Sequence, residues 1–289
     1  MNLLLGSSGY LAVNLLQYLD PNQTITVSRS SEKPEVLEHI CLDIRDELTS
    51  SELQQIVKCR PSQIYILGRP TEDDFYINKR FYDNLKSLFL KLADDPILST
   101  IHFFSTTLVY DGIKHISSSL LGEVKPYSFY EYFKLDFELF LHYLSLNIRP
   151  DLAVFIHRLP LLFGGIFSDQ KNSGQFLYSF IHSYVQGNGW RFATDEDKKY
   201  GTSWTFTPDL CKALTSPPAS SGFHLKNASS GFFTYFQFHE LLVQYFGQPL
   251  KDELKLYRSY FNIDDELGLP QITIDDALLA VQSSISQSC

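Results

Sequence analysis

The sequence predicts an α/β fold built on a doubly wound parallel sheet, with a smaller C-terminal lobe. Short apolar runs alternate with segments of helical periodicity from residue 3 to residue 159, as parallel strands joined by helices do. After Gly164 and Gly165 the alternation becomes irregular, which indicates a lobe built on the first domain. We therefore expect a sheet domain at residues 1–165 and a lobe at residues 166–289, with segments of the lobe returning to the first domain.

The individual elements follow from apolar spacing and from turn residues. Leu11, Leu15 and Leu19 recur at helical spacing, and Pro21 ends that helix. Further helices are predicted at residues 52–57, 76–92, 130–144, 175–185 and 235–246, and from residue 208. Apolar and β-branched runs predict strands at residues 3–5, 24–27, 40–42, 63–67, 100–104, 152–156 and 222–225. Residues 198–207 are mixed in polarity and rich in turn formers, so no regular element is predicted there.

The charge and cysteine content exclude several function classes. There are 33 acidic and 24 basic residues, and the net charge of -9 argues against a nucleic-acid binder that relies on many phosphate contacts. The four cysteines are widely spaced and form no zinc or disulfide pattern, so free thiols are expected. No apolar run reaches the roughly 20 residues that span a bilayer. We expect a cytoplasmic protein that binds neither nucleic acid nor membrane, and a homodimer is left open.

A glycine-rich turn lies between the first strand and the first helix. Residues 6–12, Gly-Ser-Ser-Gly-Tyr-Leu-Ala, have the pattern G-x-x-G-x-x-A. Glycine lets the backbone come close to a ligand, and the N–H groups at the start of the following helix favour a pyrophosphate. This arrangement is typical of dinucleotide sites in Rossmann-type folds, although a plain strand–helix turn can have the same composition. The candidate cofactor-binding residues here are Gly6, Ser8, Gly9, Tyr10 and Leu11.

The end of the second strand bears on the choice of cofactor. A carboxylate at this place would hold a ribose 2′-hydroxyl and favour NAD. Here the strand ends in Ser28, Arg29 and Ser30, and Arg29 stands 20 residues after Gly9, where that acid is expected. An arginine between hydroxyl side chains suits a 2′-phosphate, so NADP(H) is favoured over NAD(H). A solvated surface arginine is the alternative interpretation.

Tyr130 and Lys134 have the spacing Tyr-x-x-x-Lys, which puts both side chains on one face of a helix. A lysine ammonium beside a phenol lowers the pKa of the phenol, so such a tyrosine can exchange a proton near neutral pH. With 17 tyrosines in the chain, an amphipathic helix can produce this spacing by chance. The hydroxyl cluster at residues 105–107 makes the pattern more specific, because Thr106 could bind the same carbonyl oxygen as the tyrosine.

In this order, the elements resemble those of the extended short-chain dehydrogenase/reductases, which include nucleotide-sugar epimerases and dehydratases. The similarity runs from Met1 to about Leu279 and is greatest to the dTDP-4-dehydrorhamnose reductase family. Residues 105–112, Ser-Thr-Thr-Leu-Val-Tyr-Asp-Gly, are similar to that family's Ser-Thr-Asp-Tyr-Val-Phe-Asp-Gly. Residues 130–138 match its Tyr-x-x-x-Lys-Leu-x-x-Glu.

The resemblance implies an NAD(P)-binding Rossmann domain at residues 1–165 and a substrate-binding lobe at residues 166–289. It implies that Tyr130 gives a proton to the substrate oxygen, that Lys134 lowers the phenol pKa and positions the nicotinamide ribose, and that Thr106 binds the carbonyl oxygen. Besides the glycine turn and Arg29, the implied cofactor-binding residues are Asp43, Ile44, Gly68, Arg69, Pro70, Tyr130 and Lys134. The implied substrate-binding residues are Thr106, Thr107 and Leu161.

The activity implied by the resemblance is NADPH-dependent reduction of a 4-keto nucleotide-deoxysugar. Sugar-contact positions depart from the family more than catalytic ones, since its aspartate after the threonine is Thr107 here and its Thr-Ser-Trp is Leu-Pro-Leu at residues 159–161. Two alternatives stay open: a nucleotide-sugar epimerase or dehydratase with bound NAD, and a non-catalytic NADP-binding regulatory relative. Dehydratases usually carry an acid beside the hydroxyl cluster, and Thr107 and Leu108 supply none. No metal site is expected, although the acids at residues 264–266 leave Mg²⁺ binding open without support.

Overall fold

The structure is a computed structural model that describes residues 1–70, 74–110, 115–116, 124–166, 176–216, 220–254 and 260–279. The chain divides into two compact units, each made of stretches that are separate in sequence. The first unit comprises Met1–Val109, Val124–Arg158 and Thr215–Lys226, and the second comprises Tyr110–Glu123, Leu159–Leu214 and Asn227–Cys289. The division into domains at residue 165 stays a prediction.

Strands and helices alternate through the first half of the chain. The strands are β1 (Asn2–Leu5), β2 (Thr24–Ser28), β3 (Glu38–Cys41), β4 (Gln63–Ile66), β5 (Thr100–Thr106), β6 (His115–Ile116), β7 (Ala153–Leu159), β8 (Leu161–Phe163), β9 (Asn188–Trp190), β10 (Gly201–Phe206), β11 (Gly222–Asn227), β12 (Gly231–Thr234), β13 (Lys251–Leu254) and β14 (Tyr260–Ile263). The α-helices are α1 (Tyr10–Leu15), α2 (Ser50–Val57), α3 (Phe75–Leu92), α4 (Phe129–Tyr143), α5 (Phe176–Val185), α6 (Thr207–Leu214) and α7 (Tyr235–Phe246).

A seven-stranded sheet forms the centre of the first unit, in the order β11-β7-β5-β4-β1-β2-β3. The pairings that join β3, β2, β1, β4 and β5 are parallel. Because β1 lies between β2 and β4, the strand order reverses direction there, and ligands of doubly wound sheets bind at such a reversal beyond the carboxyl ends of the strands. The predicted α/β fold class with a doubly wound parallel sheet is confirmed.

One face of this sheet packs against the apolar faces of α3 and α4. Alternate residues of the strands point to this face, as the two-residue period of a strand requires. Its buried core includes Leu3, Leu5, Ile64, Ile66, Ile101 and Phe103 from the strands, Leu85 and Phe89 from α3, and Phe137 and Leu141 from α4. Burial at this scale fixes the position of α4, which carries the tyrosine–lysine motif.

The first helix and residues 201–206 differ from the sequence prediction. The first helix ends at Leu15 instead of Leu19, because the chain tightens into turns in which the Gln17 and Tyr18 N–H groups bond to carbonyls three residues earlier. Residues 201–206, expected to be irregular, form strand β10. Its polar side chains find partners inside the fold: the Thr205 hydroxyl donates to the Ala228 carbonyl at 2.7 Å, and the Ser203 hydroxyl accepts from Ile263 N–H at 3.0 Å.

The second unit has its own strands and helices. Its larger sheet has the order β12-β10-β14-β6, with β8 also paired to β10, and β13 pairs with β9. Trp204 of β10 is fully buried and lies edge-on to Phe163 of β8. Among the helices in the described part of the chain, none is both long and apolar enough to cross a membrane.

The other face of the seven-stranded sheet carries a stack of aromatic rings that includes two buried histidines. His102 on β5 stacks on Tyr65 at 4.8 Å and on Phe155 at 5.2 Å between ring centroids. Its Nδ1 lies 3.1 Å from Nε2 of His157 on β7, and its Nε2 lies 2.9 Å from the Gln63 amide nitrogen. Desolvation lowers the pKa of His102 to about 3, and it lowers the pKa of His157 as well.

These buried histidines predict that the protein loses stability in mild acid. In the unfolded chain His102 binds a proton below a pKa of about 6.5, whereas in the folded protein it stays neutral until the pH approaches 3. The free energy of unfolding therefore keeps its full value above pH 6.5 and decreases as the pH falls toward 3. Between pH 7 and pH 5 we expect His102 alone to remove about 2 kcal/mol from the free energy of unfolding. Urea titrations of the protein and of His102→Gln at both pH values measure this loss. The contributions of the titratable groups that both proteins share cancel when the two losses are subtracted. An equal loss of stability in both proteins would contradict the assignment.

Candidate active site

Two glycines from different strands come into direct contact at the carboxyl edge of the sheet. Gly6 follows β1 with a φ of +91°, and a Cβ added to it would lie 2.3 Å from Cα of Gly68, which follows β4. The Gly6 and Ser7 N–H groups donate to the Val27 carbonyl of β2 at 2.8 and 3.2 Å, which fixes the turn against its neighbour. Any side chain at Gly6 would therefore clash with backbone and adopt a strained conformation.

The turn leads into α1 and leaves room for a phosphate group. Gly9 is the N-cap of the helix and supplies no side chain to its first turn, so the N–H groups that a helix start leaves unpaired have no side-chain cap from that residue. A Cβ at Gly9 would meet only the Gly6 carbonyl oxygen, at 3.6 Å. Ser8 and Gly9 are exposed, Leu11 is half-buried and Tyr10 is buried. This cradle fits the pyrophosphate of a dinucleotide.

Arg29 lies exposed immediately after β2. His39 of β3 fixes the loop that carries Arg29. Its Nδ1 lies 2.8 Å from the Thr26 hydroxyl, and its Nε2 lies 2.8 Å from the Ser30 carbonyl oxygen. The Ser30 N–H also donates to the Ser28 hydroxyl at 3.3 Å. The arginine is thus an exposed cation on a hydrogen-bonded loop beyond the end of β2.

Asp43 and Ile44 follow β3, and both are held by residues that the sequence analysis did not single out. Arg45 binds the Asp43 carboxylate through two nitrogens, at 3.0 Å from Nε and 2.7 Å from a terminal nitrogen. That hydrogen bond holds the pKa of Asp43 below its ordinary value. Asn84 of α3 donates to the Ile44 carbonyl at 2.7 Å and fixes the loop. A cofactor that binds Asp43, as the resemblance implies, must therefore share this carboxylate with Arg45.

The three predicted catalytic residues come together at the end of β5 and the start of α4. Thr106 is the last residue of β5 and is buried, and Ser128 caps α4 so that Tyr130 lies in its first turn. The Tyr130 hydroxyl is hydrogen-bonded to the side chains of Thr106 and Arg69. Desolvation raises the pKa of Tyr130, and these two partners act in the opposite direction.

Lys134 is 3% exposed and lies one turn beyond Tyr130 on the same helix face. Its Nζ donates to the Phe104 carbonyl at 2.5 Å and lies 5.8 Å from the centre of the Tyr130 ring. Desolvation, together with the nearby charge of Arg69, lowers the pKa of Lys134 to about 7, and the charge of Glu138 acts in the opposite direction. Lys134 therefore changes charge in the neutral pH range.

A fully buried ion pair supports this cluster. Arg158 on β7 binds the Glu138 carboxylate with nitrogen–oxygen distances of 3.1 and 2.6 Å, and neither side chain has exposed surface. The Ser105 hydroxyl donates to the same carboxylate at 2.5 Å. Glu138 thus ties α4 to the residue that precedes Thr106. Glu138 was noted as the last residue of the tyrosine–lysine motif, whereas Arg158 was not singled out from the sequence.

The remaining predicted site residues have different surroundings. Pro70 and Thr107 are buried at the carboxyl edge of the first unit, and Arg69 is exposed between Gly68 and Pro70. Leu161 is half-buried in β8 of the second unit. Asp265 and Glu266, considered for Mg²⁺, accept from backbone N–H groups of Ser229 and Asn227, and no cluster of metal-ligating side chains occurs among the described residues.

Comparison with solved structures finds proteins of the same architecture. A UDP-glucose 4-epimerase from Thermotoga maritima, solved with UDP-glucose, is similar in structure with a TM-score of 0.79 at 17% identity. The alignment covers 100% of this chain and 99% of the epimerase chain. A UDP-N-acetylglucosamine 4-epimerase from Methanobrevibacter ruminantium has a TM-score of 0.78 at 16% identity, covering 99% and 98%. A dTDP-glucose 4,6-dehydratase from Streptomyces venezuelae, solved with NAD, has a TM-score of 0.74 at 17% identity, covering 99% and 97%.

The chain shares the fold of these nucleotide-sugar enzymes. The fold implied by the resemblance to the extended short-chain dehydrogenase/reductases is thereby confirmed. No protein-family model matches the sequence, and no curated protein matches it either.

Proposed function

We propose that this protein is a nicotinamide-dependent oxidoreductase that acts on the keto or hydroxyl group of a nucleotide-linked sugar. The observation that carries the proposal is the grouping of Thr106, Tyr130 and Lys134 at the edge of the sheet where the glycine cradle lies. Proteins of the same fold include epimerases and a dehydratase of such sugars, which supports the substrate class.

Each of the three residues has a distinct task. A nicotinamide, when bound, supplies or accepts hydride at the carbon that bears the reacting oxygen. Tyr130 gives its hydroxyl proton to that oxygen during reduction and takes the proton back in the reverse direction. Thr106 donates a hydrogen bond that stabilises negative charge on the same oxygen. Lys134, already donating to the Phe104 carbonyl, would hold the nicotinamide ribose.

Reduction of a 4-keto nucleotide-deoxysugar is the first candidate reaction. It needs one proton donor and one hydrogen-bond donor at the oxygen, and Tyr130 and Thr106 supply these. Thr107 and Leu108 follow Thr106 in the sequence and neither is an acid, whereas dehydratases usually carry an acid at this place, so reduction ranks above dehydration. Epimerisation with retained NAD is the second candidate, since it uses the same tyrosine in both directions and two of the structures with this fold are epimerases.

Arg29 predicts which cofactor is bound. The guanidinium of an exposed arginine at the end of β2 can pair with a 2′-phosphate, so we expect NADPH to stabilise the protein against heat more than NADH at equal concentration. In Arg29→Ala, NADPH affinity should fall by about tenfold or more, the value of a charge-assisted hydrogen bond, while NADH affinity stays within about twofold. Arg80→Ala, on an exposed turn of α3, is the matched control. Equal stabilisation by both cofactors would argue for NAD, and stabilisation by neither would remove the proposal.

A panel of UDP-, dTDP-, GDP- and CDP-linked sugars, each as the alcohol and the 4-keto form, separates the reactions. Reduction consumes NADPH in proportion to product, whereas epimerisation changes the sugar with no net consumption of cofactor. Cofactor binding without turnover on any member would favour the non-catalytic regulatory alternative.

We also propose that the protein forms a homodimer through α4. Phe129, Tyr132, Leu139 and Tyr143 are exposed on this helix at spacings of three, seven and four residues, which makes an apolar stripe on its outer face. A second copy crossing the same helix would cover both stripes at once, as a two-fold interface requires. Light scattering after gel filtration should give twice the chain mass of 33.2 kDa and the single mass for Tyr132→Glu/Leu139→Glu. A monomeric unmodified protein would contradict the proposal.

A further inference from the structure

Arg69 has a position that the sequence analysis did not anticipate. The resemblance implies that it binds the cofactor, and its guanidinium carbon also lies 5.4 Å above the centre of the Tyr130 ring. Its side chain is also hydrogen-bonded to the Tyr130 hydroxyl. A cation from the loop after β4, 61 residues earlier in the chain, therefore lies beside the residue proposed as proton donor.

The Lys134 ammonium is held by the main chain of β5. Its Nζ donates to the main-chain carbonyl of Phe104 and lies 4.6 Å from the centre of the Phe103 ring, both on β5. That Nζ lies farther from the Tyr130 ring, at 5.8 Å, than the guanidinium carbon of Arg69 does. The geometry separates two tasks that a single lysine is usually expected to combine.

We propose that Arg69 is the positioning residue that sets the charge around the Tyr130 hydroxyl, whereas Lys134 serves to hold the cofactor. The inference rests on the proposed function only for its catalytic meaning. A guanidinium remains charged at every pH at which the fold is stable, whereas a buried ammonium can lose its proton. Arg69 thus supplies a positive charge that does not depend on the state of Lys134.

The order in which the groups titrate supports this division. Lys134 has a pKa of about 7, and the pKa of Tyr130 lies above its ordinary value, so the lysine is neutral when the phenol ionises. Two further titratable groups in the described part of the chain interact with the phenol, Glu131 and Tyr82. Glu131 accepts from the Tyr127 and Ser128 N–H groups at 2.6 and 3.2 Å, and its charge disfavours the phenolate. Tyr82 is fully buried and uncharged at neutral pH.

The test measures the pKa of Tyr130 directly and needs no substrate. The full-length protein is prepared with 3-fluorotyrosine, because fluorine lowers the pKa of the phenol into a range the fold tolerates, and the ¹⁹F spectrum is recorded against pH. Tyr130→Phe identifies the signal among those of the 17 tyrosines. The same titration is then made on Arg69→Met, Lys134→Met and Arg69→Lys.

We expect Arg69→Met to raise the pKa of Tyr130 by about one unit, since a partly exposed opposite charge at this distance gives a shift of that size. Lys134→Met should shift it less, and Arg69→Lys should restore part of the change. Unshifted signals from the other tyrosines show that the fold is intact. A shift in Lys134→Met as large as or larger than that in Arg69→Met overturns the inference. The titration does not depend on turnover. A protein that is inactive on every nucleotide sugar would contradict the proposed function, but the titration would still test the role of Arg69.

Discussion

Tyr130→Phe is expected to lower kcat by about 10²- to 10⁴-fold, the range that a positioned proton donor contributes. The ring remains to fill its place beside Thr106 and Lys134, and only the transferable proton is removed. Because the glycine cradle and Arg29 are unchanged, NADPH should stabilise the variant as it stabilises the parent protein. The measurement is kcat on the best member of the nucleotide-sugar panel, together with the melting temperature in the presence of NADPH.

A matched control is available on the same helix. Tyr132 is 53% exposed and lies two residues further along α4, so Tyr132→Phe removes a phenol hydroxyl without touching the site. It should keep kcat within about twofold, as a surface substitution of this kind rarely has larger effects. If Tyr130→Phe were as active as Tyr132→Phe, the proton would have to come from another group, and the assignment of Tyr130 would be wrong.

Glu138→Gln should cost about 3–5 kcal/mol of the free energy of unfolding. The change removes the Glu138 charge from the buried Arg158 guanidinium, and breaking a buried ion pair on one side has a cost of this size. The amide can still accept from the Ser105 hydroxyl, so the loss is electrostatic in origin. Urea denaturation measures it, provided that the slope against urea concentration is the same in both proteins.

Two comparisons separate this effect from a general weakening of α4. Lys79 and Asp83 form an exposed ion pair on α3, 2.5 Å apart, with side chains 54% and 49% exposed. Asp83→Asn breaks this pair and should lower the free energy of unfolding by less than about 1 kcal/mol. Glu138→Leu/Arg158→Met removes both charges and should recover most of the loss. A double variant less stable than Glu138→Gln would show that the pair stabilises the fold through its geometry and not only by mutual neutralisation.

Local patterns in the sequence predicted most of the sheet and the candidate catalytic group. The strand at residues 3–5, the glycine turn and the spacing of Tyr130 and Lys134 depend on neighbours close in the chain, so composition and periodicity carry them. Strand β10 was missed because its serine and threonine side chains are satisfied by partners distant in sequence, such as Ala228 and Ile263. A polar segment with buried partners is indistinguishable from a turn when those partners are unknown.

The electrostatic partners of the site could not be predicted for a related reason. The approach of Arg69 to Tyr130 and the pairing of Glu138 with Arg158 both join different elements. Each depends on how α4 packs on the sheet, which is decided by buried apolar surface rather than by charge. The sequence could show only that charged residues are present, whereas the fold determines which charges meet.

Because the first unit is made of separate chain segments, its sheet is completed late during synthesis on the ribosome. Strand β11 borders β7 in the seven-stranded sheet, yet it belongs to Thr215–Lys226, which the ribosome delivers after Leu159–Leu214 of the second unit. Until then the emerging chain presents β7 as an open edge that can pair with other chains. A fragment that stops at residue 165 would retain this open edge permanently, so synthesis through residue 227 is required before the sheet is closed on that side.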